Sequence, residues 1–217
     1  MTTQNDAAAT SVQSVVMASV PELTLPKPYY QDDSVTIYHG DSKPIISAIQ
    51  FDALLTDPPY PNYMEQEYRY HAGILEPFRK MDCPQAIFWT PSAPFPLDWC
   101  GMHVWDKVTG SNTQFELVYQ RRKGTGYKVH KYMTPHNKVR AQICGDVCNE
   151  HPSQKPIQLI RRLIVELGEV QTILDPFMGS GTTMLACKLD GKKGIGIEIE
   201  ERYCEIAAKR LAQGVLF

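Results

Sequence analysis

The chain has 217 residues, of which 43% are hydrophobic, and its net charge at neutral pH is −2. This length suits one domain that buries its own core without disulfide or metal support. No apolar run approaches the roughly 18 residues of a membrane helix, and no basic segment precedes an apolar one near the start, so we expect neither a membrane span nor a signal peptide.

Residues 1–28 are rich in Ala, Ser, Thr, Val and Gln without any periodicity, which predicts a flexible N-terminal tail. Beyond it, strand and helix patterns alternate, and this predicts one α/β domain over residues 29–217. Its sheet would have about seven strands, mostly parallel, with helices on both faces. The predicted strands are 35–38, 51–56, 86–90, 102–105, 115–119, 172–174 and 193–198, with 102–105 and 115–119 forming an antiparallel pair. The predicted helices are 157–167, 182–189 and 203–211.

A glycine turn lies in the second half of the chain. Asp175 ends a predicted strand, and Gly179 and Gly181 lead into a helix, so the backbone can approach a ligand where a side chain would block it. Glu198 ends the next strand, where an acid can accept hydrogen bonds from ribose hydroxyls. Asp41, after an early strand, is a candidate for the adenine end of the same ligand. A turn with a purely structural role would need glycines too.

Three classes of cofactor compete for this turn. A nucleoside triphosphate loop requires a lysine after its last glycine, but Thr182 stands there. A dinucleotide site requires a third glycine, and Met184 occupies that position. The remaining class is S-adenosylmethionine, which has no phosphate to cradle and carries a sulfonium that favours nearby carboxylates.

The segment Thr56-Asp57-Pro58-Pro59-Tyr60 predicts a site for an exocyclic amino group. The Asp57 carboxylate and the Pro58 carbonyl can accept its two N–H groups, while the two prolines hold the loop in one shape. Tyr60 offers a face on which a flipped base can stack. The alternative is a turn that ends a strand, with a tyrosine that packs in the core.

The order of these segments is unusual, because the amino-group site precedes the glycine turn. With TDPPY at 56–60, HPSQKP at 151–156 and LDPFMGSGTT at 174–183, the chain resembles the β-class DNA amino-methyltransferases. The resemblance covers residues 34–122 and 150–213. It implies a circularly permuted, Rossmann-like methyltransferase sheet with a short recognition insertion, S-adenosylmethionine as the cofactor, and no metal.

The resemblance also assigns roles to individual residues. The catalytic segment would consist of Asp57, Pro58, Pro59 and Tyr60. The cofactor would be bound by Ser153, Gln154, Lys155, Asp175, Phe177, Gly179, Gly181, Thr182 and Glu198, in addition to Asp41. Taken singly, Lys155 is also consistent with a solvated residue at the start of a helix.

Positive charge is concentrated in residues 116–140, which carry a net charge of +6, whereas residues 1–115 carry −7. The family usually has its target-recognition segment in this region, and only residues 123–150 are available for it here. Basic residues interleaved with aromatic ones suit phosphate contacts and base stacking, although a solvated basic loop is the alternative. The candidate DNA-binding residues are Arg121, Arg122, Lys123, Lys128, Lys131, Lys138 and Arg140.

Two further segments leave alternatives open. Residues 61–71 contain three tyrosines that could cover a base pocket or pack on the core. The six cysteines form no CxxC pair, and Cys144, Cys148 and His151 fall short of the four closely spaced ligands of a zinc site. We expect reduced thiols and no metal centre.

The leading hypothesis is methylation of the N6 of adenine in DNA, because the aspartate form of the motif at Asp57 favours adenine in this family. The alternatives are methylation of cytosine N4, methylation of RNA, and a non-catalytic accessory subunit that binds DNA and cofactor. The resemblance implies double-stranded DNA as the substrate, with a homodimer and a cognate restriction nuclease as candidate partners. It also implies a cytoplasmic enzyme encoded by a bacterium or a phage.

Overall fold

A computed structural model describes residues 25–61, 71–109, 114–135 and 154–213. The strands in these ranges are β1 Tyr30–Gln31, β2 Val35–His39, β3 Ala53–Thr56, β4 Gln85–Trp89, β5 Gly101–Asp106, β6 Phe115–Arg121, β7 Tyr127–Lys131, β8 Thr172–Asp175 and β9 Lys193–Glu198. The helices are α1 Ser42–Ile46, α2 Glu76–Arg79, α3 Ile157–Leu167, α4 Thr182–Leu189 and α5 Glu201–Ala212. None of the helices in this part of the chain has the length and apolar character needed to cross a membrane.

The nine strands form a single mixed sheet in the order β1-β2-β9-β8-β3-β4-β6-β5-β7. Five adjacent strands, from β2 to β4 in that order, are parallel. β6 is antiparallel to both β4 and β5, and β7 is parallel to β5. The carboxyl ends of the five parallel strands therefore meet at one edge of the sheet, which is where ligands bind in open α/β sheets.

Alternate residues of the central strands face two separate cores. Leu55 and Phe88 pack on one face, where the buried side of α3 and residues of α4 cover them. Leu54 and Ile87 pack on the other face, against Phe78 of α2 and its neighbours. This alternation follows from the two-residue period of a strand, and it confirms the prediction of helices on both faces.

Helix α3 shows how the sequence forms one of these layers. Its apolar residues recur every three or four positions and are buried, whereas Val165 is 63% exposed. Gly168 ends the helix with a φ of 88°, a conformation that favours glycine. Each fully buried leucine on this face contributes about 1.5–3 kcal/mol of burial free energy.

The predicted elements agree with the structure in the core and differ at its margins. Helix α4 and strand β9 have the predicted bounds, and β5 and β6 form the predicted antiparallel pair. The expectation of seven strands was wrong, because β1 pairs with β2 and β7 pairs with β5 to make nine. β7 lies at the edge of the sheet, so most of its side chains are exposed and it lacks the apolar pattern of an inner strand.

Several predictions fall outside the described residues. These comprise most of the N-terminal tail, most of the tyrosine-rich segment 61–71, and residues 136–150 of the recognition segment. The proposed boundary between tail and domain therefore stays a prediction.

Candidate active site

A cavity of about 940 Å³ opens at the carboxyl ends of the parallel strands. Its lining brings together both sequence motifs, although they are far apart in the chain. Predicted site residues in the lining are Asp41, Asp57, Pro58, Pro59, Tyr60, Gln154, Lys155, Asp175, Phe177, Gly179, Thr182 and Glu198. Ser153 lies outside the described residues.

The glycine turn is held by the acid that ends β9. Glu198 accepts a hydrogen bond from the Gly179 amide through Oε2 (2.9 Å) and one from the Glu200 amide through Oε1 (2.8 Å). Each carboxylate oxygen has a second lone-pair direction, so ligand hydroxyls can still be accepted. Burial raises the pKa of Glu198 above its usual value, and these amide hydrogen bonds oppose the shift.

The structure shows a packing requirement at Gly181, whereas its predicted contact with the cofactor stays a prediction. It does not line the cavity; it has a φ of 80° at the start of α4. A Cβ at this position would lie 2.7 Å from the Cβ of Ala207 in α5. Gly181 therefore allows α4 and α5 to approach each other, which supports the structural alternative for this glycine.

Asp175 connects the two motif strands. Its Oδ1 accepts hydrogen bonds from the Thr56 hydroxyl (2.8 Å) and the Phe177 amide (3.2 Å), and its side chain is buried. Burial raises the pKa of Asp175 to about 6 despite these hydrogen bonds. No pattern in the sequence indicated that Thr56, the first residue of the TDPPY segment, would bind the acid of the glycine turn.

The catalytic segment ends β3 and turns into the cavity. Tyr60 is 6% exposed, and its ring contacts Trp89 edge to face with a centroid distance of 6.0 Å. Oδ1 of Asp57 is buried and has no hydrogen-bond partner among the described residues. A buried acceptor without a partner is costly unless a ligand satisfies it, so this oxygen is suited to receive an N–H donor.

The other oxygen of Asp57 is ion-paired. Lys155 contacts Asp57 Oδ2 through Nζ, and the same nitrogen lies 3.3 Å from Oε2 of Glu116. Lys107 in turn pairs with Oε1 of Glu116 at 2.6 Å. Glu116 and Lys107 were not among the predicted site residues; the available signal was an acid at an alternate, inward-facing position of an apolar strand.

The charges in this cluster shift one another's pKa values. Burial alone would lower the pKa of Lys155, but the carboxylates of Asp57 and Glu116 outweigh it and raise that pKa above its usual value. Burial raises the pKa of Asp57; the Lys155 ammonium opposes this shift and the Glu116 carboxylate adds to it. Lys155 therefore stays a cation throughout the ordinary pH range.

Asp41 caps a helix beside the cavity. Its Oδ1 accepts a hydrogen bond from the Lys43 amide (3.0 Å) at the start of α1.

Among the residues that the structure describes, no group of three or more His, Cys, Asp or Glu side chains could hold a metal ion.

The prediction that Arg121 binds DNA is wrong. Its side chain is fully buried and hydrogen-bonds Asp98, Gln85 and the Phe78 carbonyl. Arg121 stands opposite Gln85 at the start of β4. From there it connects β4 to the segments that carry Asp98 and Phe78. The positive charge of Arg121, which contributes to the net charge of this segment, is therefore used in contacts inside the fold.

The other predicted basic residues are divided between the two ends of the sheet. Arg122 bonds the carbonyls of Arg79 and Met81, and Lys128 pairs with Glu166 near the end of α3, all at the end opposite the cavity. Lys123 lies beside Gly168, also at that end. Lys131 is exposed at the carboxyl end of β7, on the cavity side. Lys138 and Arg140 lie outside the described residues.

Comparisons with known proteins agree on one family. The family model of N6/N4 DNA methylases matches residues 102–209. The type II methyltransferase M2.LlaDCHI of Lactococcus lactis subsp. cremoris is 24% identical over 88% of this chain and 94% of its own length. The DNA adenine methyltransferase YhdJ of Escherichia coli is 38% identical over 73 residues, which are 33% of this chain and 25% of YhdJ.

The fold agrees with these similarities. The cytosine-N4-specific PvuII DNA methyltransferase superposes with a TM-score of 0.61 at 16% identity, over 85% of this chain and 88% of that one. The motif order, the strand-end cavity and the family match point the same way. The chain belongs to the N6/N4 DNA amino-methyltransferases, a family of S-adenosylmethionine-dependent enzymes.

Proposed function

We propose that this chain transfers a methyl group from S-adenosylmethionine to the exocyclic N6 of adenine in DNA. The observation that carries the proposal is Asp57, which lines the cavity together with the glycine turn and whose Oδ1 is a buried acceptor without a partner among the described residues. An amino group bound there would lie beside Tyr60, against which its base can stack.

The cavity suits the cofactor. Gly179 presents backbone rather than side chain to the space, and Glu198 has carboxylate lone pairs left for ribose hydroxyls. Phe177 adds an aromatic ring and Asp41 a carboxylate near the predicted adenine end. When bound, S-adenosylmethionine supplies a methyl group on a positively charged sulfur, which leaves readily without a metal.

The chain's own residues would make the amino nitrogen reactive. That nitrogen is a weak nucleophile because its lone pair is delocalised into the base. Asp57 Oδ1 would accept one of its N–H groups and the Pro58 carbonyl the other, which favours a tetrahedral nitrogen with its lone pair directed at the methyl group. In the overall transfer the nitrogen would gain the methyl group, the sulfonium would leave as a neutral thioether, and one amino proton would be released to solvent. Because Asp57 and the Pro58 carbonyl act as fixed acceptors, orientation is the expected main source of rate.

Adenine is the proposed base because the acceptor is an aspartate at position 57. The similarity to YhdJ, whose name specifies adenine, supports this assignment. Cytosine N4 is the second candidate, because the PvuII enzyme of the same fold is specific for that atom.

The test is incubation of the purified chain with unmethylated DNA and S-adenosylmethionine, followed by mass spectrometry of the nucleosides. N6-methyladenine is the expected product, and its absence from the Asp57→Ala variant would tie it to this site. N4-methylcytosine would overturn the base assignment and keep the reaction. The absence of any methylated base in DNA, with RNA methylated in parallel, would overturn the DNA substrate.

We further propose that DNA approaches the cavity side of the sheet. Of the predicted phosphate contacts that the structure describes, Lys131 lies there, whereas Arg122, Lys123 and Lys128 occupy the opposite end. A flipped base has to enter beside Tyr60, so phosphates flanking it must lie near the carboxyl ends of the strands.

A further inference from the structure

A chain of alternating charges leads away from the catalytic aspartate. Asp57 contacts Lys155, Lys155 lies 3.3 Å from Glu116, and Glu116 pairs with Lys107 at 2.6 Å. The four side chains come from four places: the turn after β3, the segment before α3, strand β6 and the turn after β5. Two cations and two anions make the cluster neutral as a whole.

Burial of this charged cluster has a large desolvation cost. Lys155 and Glu116 are each only 6% exposed, so both have lost most of their hydration. Apolar residues of similar volume often stabilise a protein as well as a buried ion pair does. Two members of the cluster, Asp57 and Lys155, line the cavity, which indicates a role in the chemistry of that cavity.

The position of Lys155 decides how Asp57 can act. Its ammonium engages Oδ2, whereas Oδ1 is buried and lacks a partner among the described residues. The ammonium is itself confined, because it lies 5.1 Å from the centre of the Phe88 ring and 5.8 Å from that of Trp105. Contacts with both rings add cation–π attraction to the attraction of the carboxylates.

We propose that Lys155 is a positioning residue: it holds Oδ2 of Asp57 so that Oδ1 faces the amino group of the target base, and Glu116 holds Lys155 in place. The inference rests on the function proposed above and deepens it. It also moves Lys155 from the cofactor, where the family resemblance put it, to the acceptor of the amino group.

The first test separates these two roles of Lys155. The variants are Lys155→Met and, as a matched control, Lys188→Met, which removes a lysine paired with Asp32 at 2.7 Å far from the cavity. A displaced acceptor should lower kcat about 100-fold in Lys155→Met, while calorimetry shows its Kd for S-adenosylmethionine within about twofold of wild type. A Kd raised tenfold or more with kcat retained would return Lys155 to the cofactor and overturn the proposal.

A second test uses pH. The charged groups that face Asp57 are Lys155, Glu116, Lys107 and Asp175, and Tyr60 faces Lys155. Removing the ammonium in Lys155→Met should move the acidic limb of the kcat profile to higher pH. Removing the like charge in Glu116→Gln should move it to lower pH. If the acidic limb of the kcat profile lies at the same pH in the wild type, in Lys155→Met and in Glu116→Gln, the role of Lys155 is merely structural.

A third variant covers the case in which Lys155→Met does not fold. Lys155→Arg keeps the charge and should retain at least tenfold more activity than Lys155→Met, or remain folded and active where the methionine variant is not. Equal loss in both, with unchanged melting temperatures, would contradict the proposal. Methylation by the wild-type protein is measured first. A wild-type protein that methylates no base would overturn the proposed function. A fully active Lys155→Met variant would overturn only the inference about Lys155.

Discussion

Thr56 donates a hydrogen bond of 2.8 Å to Oδ1 of Asp175, although the two residues are 119 positions apart in the chain. Thr56 ends β3 directly before Asp57, and Asp175 ends the neighbouring strand β8 directly before the glycine turn. The relative position of the proposed base site and the proposed cofactor turn is therefore set by a buried side-chain bond as well as by the backbone ladder. Because the bond is buried, it does not compete with water.

Replacing Thr56 by valine should destabilise the protein by about 1–3 kcal/mol, because the buried carboxylate of Asp175 loses a hydrogen-bond donor. Urea denaturation monitored by tryptophan fluorescence measures this change. Thr36→Val, at a half-buried position of β2, is the matched control and should change stability by less than about 0.5 kcal/mol. Equal effects of the two substitutions would show that the bond to Asp175 is not important.

The stability of the protein should depend on the ionisation of Asp175. Burial raises its pKa from 3.8 to about 6, so the folded state favours the neutral acid. The contribution to stability is complete below pH 4 and is lost as the pH rises through about 6, and the loss amounts to roughly 3 kcal/mol. In Asp175→Asn this component should be missing when unfolding free energies are compared at pH 4 and pH 7. A difference between the two proteins that stays constant with pH would contradict the prediction.

Substitution of Asp57 should separate binding from chemistry. Asp57→Ala removes the buried acceptor Oδ1 together with the partner of Lys155, and kcat should fall by a factor of about 100–1,000. The Kd for S-adenosylmethionine should change little, because Glu198 and the glycine turn are intact. Stopped-assay kinetics and equilibrium cofactor binding provide the two readouts. Activity of the alanine variant near the wild-type level would rule out Asp57 as the acceptor.

Gly181 should tolerate no side chain. In Gly181→Ala the new Cβ would meet the Cβ of Ala207 at 2.7 Å and the residue would keep a φ of 80°, so a loss of about 2–4 kcal/mol is expected. Gly191→Ala is the control, because its φ of 65° imposes similar strain while nothing lies within 4 Å. Its expected loss is about 1 kcal/mol. Thermal denaturation distinguishes crowding from backbone strain, and equal melting temperatures would exclude crowding.

The two ends of the sheet should differ in their contribution to DNA binding. Lys131→Ala should weaken binding and reduce the slope of log K against log salt by about one, as expected for one lost phosphate contact. Lys123→Ala, at the opposite end of the sheet, should leave both the affinity and the slope unchanged. Fluorescence anisotropy at several salt concentrations measures both quantities. A larger effect at Lys123 would place the DNA on the other end.

The sequence predicted the parts of the fold that depend on local pattern. Helix α4, strand β9 and the residues of the two motifs follow from periodicity and turn chemistry, and the structure brings the motifs together at one cavity. The cluster around Lys155 could not be predicted in this way. It depends on the register of β6 against β4, which places Glu116 near residues that are distant in sequence.

The same limit applies to the basic segment and explains the error at Arg121. Net charge is a property of a stretch of sequence, whereas access to DNA depends on which side chains the fold uses. Arg121 and Lys128 are basic in sequence but paired with Asp98 and Glu166 in the structure. A strand also alternates its faces and has two ends, so one run of positive charge can be distributed over surfaces that never meet the same ligand.

The neighbouring position of β3 and β8 has a consequence for synthesis of the protein. A ribosome completes the Asp57 segment long before Asp175 and its strand emerge, and β3 needs β8 as a neighbour to complete its place in the sheet. An unfinished chain therefore carries the proposed base site without its partner strand and without the glycine turn. On this arrangement, we expect both proposed sites to form together only after the last third of the chain has folded.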